Sequence, residues 1–305
     1  MTFARSTTPA PAAVADDGDV SGIYLYEDRL GVLSLDCDSG YVLKSIDLGF
    51  PKVRDNTQDR AMQDGSFDVT YLVGSRAVSL AFVLDGSKSP TGGTQRLLDR
   101  LAAYCYPMVR PTLYWLPVGE PDQRKLALRG VDCPALIDNV KYPAVVAQFV
   151  SGAPMIESAD EHVQIIPFNT GVPSPGRHYW FVYNKSYPVG GAGEGAVQIV
   201  NAGSATASWW ARIYGPCNTP TLEINDTQMT FSRLGGLTLA AGSYVEIRSR
   251  ERTITADNGE SRYPYYDFTA GVWPVLLPGP NAVRYYGVSA GAESVVEFHW
   301  NDAWV

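Results

Sequence analysis

The chain has 305 residues, of which 45% are hydrophobic and 18% charged, and its formal net charge is −8. That length suits two ordinary domains, each large enough to bury its own core. The negative balance argues against nonspecific attachment to nucleic acid or an anionic membrane, since both need a basic surface. No stretch is long and apolar enough to span a bilayer. The first twenty residues lack the apolar centre of a secretory signal and are rich in Ala, Pro, Thr and Asp, so residues 1–20 read as a flexible arm. Four cysteines, Cys37, Cys105, Cys133 and Cys217, stand far apart without a C-x-x-C pair for zinc or redox work. Free thiols in a protein folded in reducing cytoplasm are the simplest reading, and the spacing leaves long-range disulfides open.

After the arm, Ile23–Tyr26 and Val32–Leu35 read as short strands, followed by Tyr41 to Phe50, which ends at Pro51. A polar, charged loop runs from Arg54 to Arg60. Phe67, Val69 and Tyr71 then alternate with polar residues. Gly74-Ser75 makes a turn, and Val78, Leu80, Phe82 and Leu84 alternate again. Period-two apolarity of this length predicts a strand pair. Thr94 to Tyr106 is the one predicted helix, with Leu97, Leu98, Leu101 and Cys105 on one side. Thr94 or Thr91 would cap its start, and Pro107 would end it. Leu113–Leu116, Lys125–Val131, Ala135–Val140 and Val145–Val150 are further predicted strands, and the domain boundary is expected near Glu157–Gln164.

The second half carries Val163–Pro167, a Gly/Pro-rich loop from Gly171 to Gly176, an aromatic strand His178–Tyr183 and a glycine-rich tip at Gly190–Gly195. Predicted strands follow at Ala196–Val200, Trp209–Tyr214, Thr221–Ile224, Met229–Phe231, Tyr244–Ile247 and Arg252–Ala256. Apolar parity changes between the last two, from Val245 and Ile247 to Ile254 and Ala256, which predicts a turn or bulge near Ser249–Glu251. Arg248, Arg250 and Arg252 would share one solvated face if they lay on a single strand. Asn258-Gly259 predicts a type I′ hairpin turn with Tyr263–Phe268 returning. Val283–Tyr286 and Val295–Trp300 complete the set. Many short strands between turn signals suggest a sandwich or jelly roll.

Chemistry-bearing patterns are sparse. His162, His178 and His299 are scattered, without metal-ligand spacing. There is no G-x-S-x-G elbow and no phosphate loop ending in Lys-Ser or Lys-Thr. Asp36, Asp38, Asp257, Glu260 and Asp267 could serve as a glycosidase pair by residue type only. Trp180, Trp209, Trp210 and Trp273 could stack sugar rings, but Trp209 and Trp210 must point to opposite faces of a strand, and tryptophan is equally at home in cores and interfaces. We therefore assign no catalytic, cofactor-binding or metal-binding residue and expect no cofactor.

The order of several motifs is informative. In the first half these are Leu48-Gly49-Phe50-Pro51, Val53-Arg54, Asp64-Gly65, and Gly74-Ser75-Arg76 before the Val78–Leu84 strand and the helix. In the second half they are Val200-Asn201-Ala202-Gly203, Ile213-Tyr214-Gly215-Pro216, Leu239-Ala240-Ala241-Gly242, Asp257-Asn258-Gly259, Trp273 through Asn281, and the ending Phe298 to Trp304. This series resembles the distal tail proteins of long-tailed, noncontractile phages (siphophages), a group of minor tail proteins of the tail tip. The resemblance implies a mainly β protein: a ring-forming N-terminal sandwich or split-barrel-like domain with one helix at 21–160, and a galectin-like, jelly-roll β-sandwich at 161–305. It implies a homohexameric ring in the virion's baseplate, assembled in the host cytoplasm. The ring would join the tail tube protein to the tail-tip hub protein and serve as an anchor for receptor-binding proteins, without nucleic acid or membrane as partner. The arm before Val20 is longer than the family leads one to expect. The rival readings are a carbohydrate-binding module for host cell-wall glycan and, behind it, a glycan-cleaving enzyme.

Overall fold

Strand Arg76–Leu84 organises the first half, because its alternate residues Val78, Leu80, Phe82 and Leu84 are all buried. In this computed structural model the described residues are 22–54, 58–59, 64, 66–67, 72–88, 93–133, 142–169, 195–268, 273–291 and 293–305. The arm, Asp68–Tyr71, Thr91, Ala135–Val140, the Gly171–Gly176 loop, His178–Tyr183 and most of the Gly190–Gly195 tip lie outside them. The chain divides into two units, one running to Asp160 and including Val305, the other Glu161–Trp304.

In the first unit, strands Arg129–Asp132, Ala144–Ser151, Arg76–Leu84 and Tyr41–Asp47 form one antiparallel sheet in that order. Helix Thr94–Cys105 buries Leu97, Leu98, Leu101, Tyr104 and Cys105. It is pinned where the Tyr41 hydroxyl donates to the Leu97 carbonyl at 2.8 Å and the Tyr104 hydroxyl to the Gly31 carbonyl at 3.0 Å. A second sheet runs Gly31–Ser34, Ile23–Glu27, Thr112–Trp115, Arg124–Ala127, Ile156–Ser158 and contributes Leu25, Leu33, Leu113 and Leu126 to the core.

Three local expectations change. Gly93, not a threonine, occupies the helix N-cap position, with φ 107° and no side-chain cap, and Thr94 is already helical. The helix ends at Cys105, and Tyr106 before Pro107 is extended as the proline demands. The predicted strand Lys125–Val131 is two strands, Arg124–Ala127 and Arg129–Asp132, which join different sheets. The Leu128 amide bonds the Pro111 carbonyl at 2.7 Å, and a Cβ at Gly130 would sit 1.8 Å from the Cys105 carbonyl oxygen. Only glycine lets the chain pass that close to the helix end.

The second unit holds an antiparallel sheet in the order His162–Pro167, Val295–Trp300, Trp209–Tyr214, Tyr244–Arg248, Thr253–Ala256, and a second in the order Val197–Asn201, Gly279–Tyr286, Thr221–Ile224, Thr227–Thr230. Trp209, Ala211, Ile213, Val296 and Phe298 from the first, and Ile199, Leu222, Ile224, Val283 and Tyr285 from the second, are buried. The mainly β fold expected from the alternation is what forms.

The parity change is a turn over Ser249–Arg252, with Arg252 left-handed at φ 52°, so that Ile247 faces Ile254 and Val245 faces Ala256. This removes the arginine ladder: Arg248 ends one strand, while Arg250 and Arg252 belong to the turn. The next turn is not type I′, because Gly259 is left-handed at φ 83° and Asn258 is not. The Gly259 amide closes on the Ala256 carbonyl at 2.9 Å, a type I turn with a following glycine bulge. The Asn258 side chain is engaged instead as acceptor for the Glu260 amide at 3.0 Å. Tyr263–Phe268 does not return as a strand. Pro264 has no N–H to offer a ladder, and Tyr263–Tyr265 forms a 3₁₀ turn.

The buried side chain of Asn201 joins segments distant in sequence. Its amide nitrogen donates to the carbonyls of Ala205 at 2.8 Å and Leu277 at 3.3 Å, and its oxygen accepts from the amides of Gly203 at 3.1 Å and Ala303 at 3.2 Å. Asn201→Ala leaves these backbone groups unpaired in the interior, at about 1–3 kcal/mol for each group that water does not reach. We expect its thermal midpoint to fall by about 10 °C or more in calorimetry; an unchanged midpoint would remove this residue from the account of the fold.

Candidate functional site

Adjacent tryptophans mark the two faces of the larger sheet of the second unit. Trp209 points inward, stacks on Phe298 with centroids 5.2 Å apart and donates to the Pro274 carbonyl at 3.0 Å. Trp210 points outward and lies flat on His299, with centroids 3.6 Å apart and planes 11° apart. The Trp210 indole N–H donates to Glu161 Oε1 at 2.7 Å, while Glu161 Oε2 lies 3.1 Å from His299 Nδ1. His299 Nε2 is 3.4 Å from Glu297 Oε1 but has no hydrogen-bond partner. His299 is therefore buried on what is otherwise an outer face.

The same face continues across the sheet. The guanidiniums of Arg212 and Arg248 lie 5.1 and 5.6 Å from the Trp210 centroid, and both bond Glu246, at 3.0 and 2.7 Å. Burial pushes the Glu246 carboxyl up, but these two cations outweigh it and hold the group below its ordinary value of 4.5. The Tyr214 hydroxyl donates to Glu297 at 2.9 Å, and burial together with that carboxylate pushes the phenol up. On the neighbouring strand, opposite His299 and Glu297, Val163 and Ile165 are exposed. The result is a pre-ordered polar face beside an exposed aliphatic edge.

The smaller sheet also has an ordered outer face. Leu222 and Ile224 face the core, while Glu223 faces outward and is still buried. It accepts from Arg284 Nη1 at 2.5 Å, the Tyr286 hydroxyl at 2.9 Å and Gln228 Nε2 at 3.2 Å. Burial and the Glu223 charge push the Tyr286 phenol up.

In the first unit, the paired segments Val53–Arg54 and Leu72–Val73 carry the exposed side chains Val53, Leu72 and Val73, and Phe50 beside them is 79% exposed. The outer face of the four-stranded sheet bears a groove of about 430 Å³ lined by Asp47, Gly49, Ala77, Ser79, Val131, Gln148 and Val150 among others. On strand Arg76–Leu84, in phase with the core residues Val78 and Leu80, Arg76 is 2% exposed, with Nε and Nη2 unpartnered, and burial pulls its guanidinium down.

The five carboxylates considered for glycoside cleavage are dispersed. Asp36 accepts from the Ser39 amide and Asp38 pairs with Lys88, both in the first unit. In the second unit, Asp257 accepts from the Asn258 amide, Glu260 pairs with Arg262 and Asp267 accepts from the Ser232 hydroxyl. His162 bonds Asp302 at 3.2 Å and stacks on Trp300; His178 and Trp180 lie outside the described residues. Trp273 stacks on Tyr263 at 6.3 Å. Among the described residues, no group of three or more His, Cys, Asp or Glu is placed to hold a metal ion. Sequence reasoning put one of Trp209 and Trp210 in the core and the other exposed or at an interface, without saying which, and missed the stacking of Trp210 on His299. The only local signal was the adjacency of two tryptophans, because their partner Glu161 is 49 positions away from Trp210.

Two measurements test this geometry. Trp209→Ala should cost about 3–5 kcal/mol in urea unfolding, because it empties a core site. Trp210→Ala should cost clearly less, and equal costs would contradict the inward and outward assignment. For Glu246, a carboxyl held below 4.5 stabilises the fold above that pH and loses its contribution as pH falls through the lowered value. Glu246→Gln should therefore lower stability by about 1–2 kcal/mol at neutral pH, with the gap to the native chain closing in acid; a gap that stays constant from neutral to acid pH would contradict the pairing.

No protein-family model matches the sequence, and no curated protein matches it. Solved structures do. The SPP1 Dit (gp 19.1) protein, described as a paradigm of the hub adsorption apparatus of phages infecting Gram-positive hosts, superposes with a TM-score of 0.60 at 11% identity, covering 93% of this chain and 99% of that one. A chain of the phage P2 baseplate in its activated conformation with Ca gives 0.45 at 11% identity, covering 92% and 97%. At such low identity the first likeness establishes architecture alone: this chain has the fold of SPP1 Dit.

Proposed function

We propose that the protein is a structural component of a long-tailed phage tail tip, placed in the virion's baseplate, where it forms a homohexameric ring between the tail tube and the tail-tip hub. In this reading, residues 21–160 are the ring-forming domain, residues 161–305 a galectin-like outer domain that anchors receptor-binding proteins, and catalysis plays no part. The observation that carries the reading is the shared fold with SPP1 Dit across 93% of the chain. The motif order read from the sequence supports it independently. Six copies in rotational, head-to-tail contact close into a ring. Such permanent contacts bury about 2,000 Å² or more and favour apolar surface. Phe50, Val53, Leu72 and Val73 supply surface of that kind in the first unit. The charged Arg54–Arg60 loop lies beside them in sequence, and part of it falls outside the described residues.

The test is native mass. A ring should run at six times the 33.2 kDa chain mass in native mass spectrometry and appear annular by negative-stain microscopy. Replacing both Val53 and Leu72 with Asp should leave the circular dichroism spectrum unchanged and reduce the ring to monomer. A native chain that stays monomeric at high concentration and is missing from purified virions would defeat the proposal. If that monomer is instead retained on immobilised cell-wall glycan, the carbohydrate-module reading takes its place.

A further inference from the structure

Arg76 opens strand Arg76–Leu84 and is the most deeply covered arginine among the described residues. No hydrogen bond reaches its Nε or Nη2. Nη2 is the terminal nitrogen on the Nε–H side of the planar group. The two nitrogens therefore present parallel N–H groups, the side-on fork that matches the two oxygens of a carboxylate. Two other well-covered arginines bring their own acid: Arg212 meets Glu246 at 3.0 Å, and Arg284 meets Glu223. At Arg76 burial acts alone and pulls the guanidinium down. A buried charge without a counter-ion is costly, and such charges are kept where something pairs with them. The position is the end of a sheet. Directly across from Arg76 stands Ser151, the last residue of strand Ala144–Ser151, fully buried and donating its hydroxyl to the Ala153 carbonyl. Beyond it Gly152 is exposed, and a Cβ there would meet no atom within 4 Å. That side of the sheet end is open to approach.

We propose that the Arg76 fork is a binding site for a carboxylate from outside the subunit, gripped side-on by Nε–H and Nη2–H at the end of the four-stranded sheet. A small carboxylate from the medium and an Asp or Glu side chain of a second copy carry the same chemistry. The site lies close to the surface given above to subunit contact. The Gly74 amide, two residues before Arg76, bonds the Lys52 carbonyl at 2.6 Å, and the Lys52 amide bonds the Ser75 carbonyl at 3.1 Å, at the base of the paired segments Val53–Arg54 and Leu72–Val73. An acid from a second copy would thus enter beside exposed Val53, Leu72 and Val73. The fork itself does not depend on the tail-tip reading.

The experiment follows thermal unfolding of the full chain at constant ionic strength while sodium formate replaces sodium chloride. Formate should raise the midpoint by about 3–6 °C, and the rise should saturate, as binding does and a general salt effect does not. Arg76→Met removes an unpaired buried charge, so it should be at least as stable as the native chain in chloride and should not respond to formate. Arg76→Lys keeps a charge without the fork and should lose most of the response. If a second copy supplies the acid, the native midpoint rises with protein concentration in chloride, formate adds little to the concentrated protein, and Arg76→Met abolishes the concentration dependence. The proposal is overturned if the native chain and Arg76→Met respond alike to formate and to concentration. It is also overturned if Arg76→Met is the less stable in dilute chloride solution, since the fork is then partnered within the subunit. A ring that forms alike in both chains without a formate response defeats this inference and leaves the tail-tip reading standing; a monomer that binds formate does the reverse.

Discussion

The second unit is held by a problem of buried backbone polarity. Its two larger sheets are joined by irregular segments, and irregular backbone in an interior must find partners that a ladder would otherwise supply. Asn201 does this at the end of strand Val197–Asn201, where one primary amide serves two carbonyls and two amides. Asn281 plays the same part beside it, bonding the Leu277 amide and the carbonyls of Leu277 and Gly279 at 2.8 to 2.9 Å. Asp302 accepts from the Ala202 amide at 2.9 Å. Gly203 is forced by the same junction, since a Cβ there would lie 1.8 Å from the Ala303 carbonyl oxygen. An Asn-Ala-Gly triplet that reads as a mere turn in the sequence is thus the joint between strand Val197–Asn201 and the segment at Asp302–Ala303.

What was legible follows the same logic. Long period-two runs were plain because burial of one face imposes them: Val78–Leu84, Trp209–Tyr214 and Val295–Trp300 form strands as read. The parity break between Ile247 and Ile254 disclosed a turn because a phase slip would otherwise turn the core residues outward. Short or context-bound features were hidden. Ile156–Ser158 is three residues long, too short to show a period. The split of Lys125–Val131 depends on the helix end that Gly130 touches, which no local pattern records. Asn-Gly favours type I′ in isolation, but the Asn258 side chain found another use.

The outer faces explain why chemistry seemed absent from the sequence. Their polar residues are spaced by strand register, so Glu223 meets Arg284 and Tyr286 from positions more than sixty residues away. These groups are mutually satisfied. A satisfied, rigid polar face loses little entropy when another surface covers it, which suits docking between pre-formed parts. Among the described residues, two buried groups keep unpartnered nitrogens: His299 at Nε2 on the outer face of the larger sheet, and Arg76 at Nε and Nη2 on the core-facing side of its strand.

Strand order also sets when the molecule can be finished. Val295–Trp300 is not an edge strand. It lies between His162–Pro167 and Trp209–Tyr214, hydrogen-bonded to both. Until those residues leave the ribosome, His162–Pro167 has no neighbour in its sheet, and Trp209–Tyr214 has one side open. The second unit's larger sheet therefore closes only after Val295–Trp300 has emerged, while the first unit's strands and helix at 23–158 are already outside the exit tunnel and free to fold.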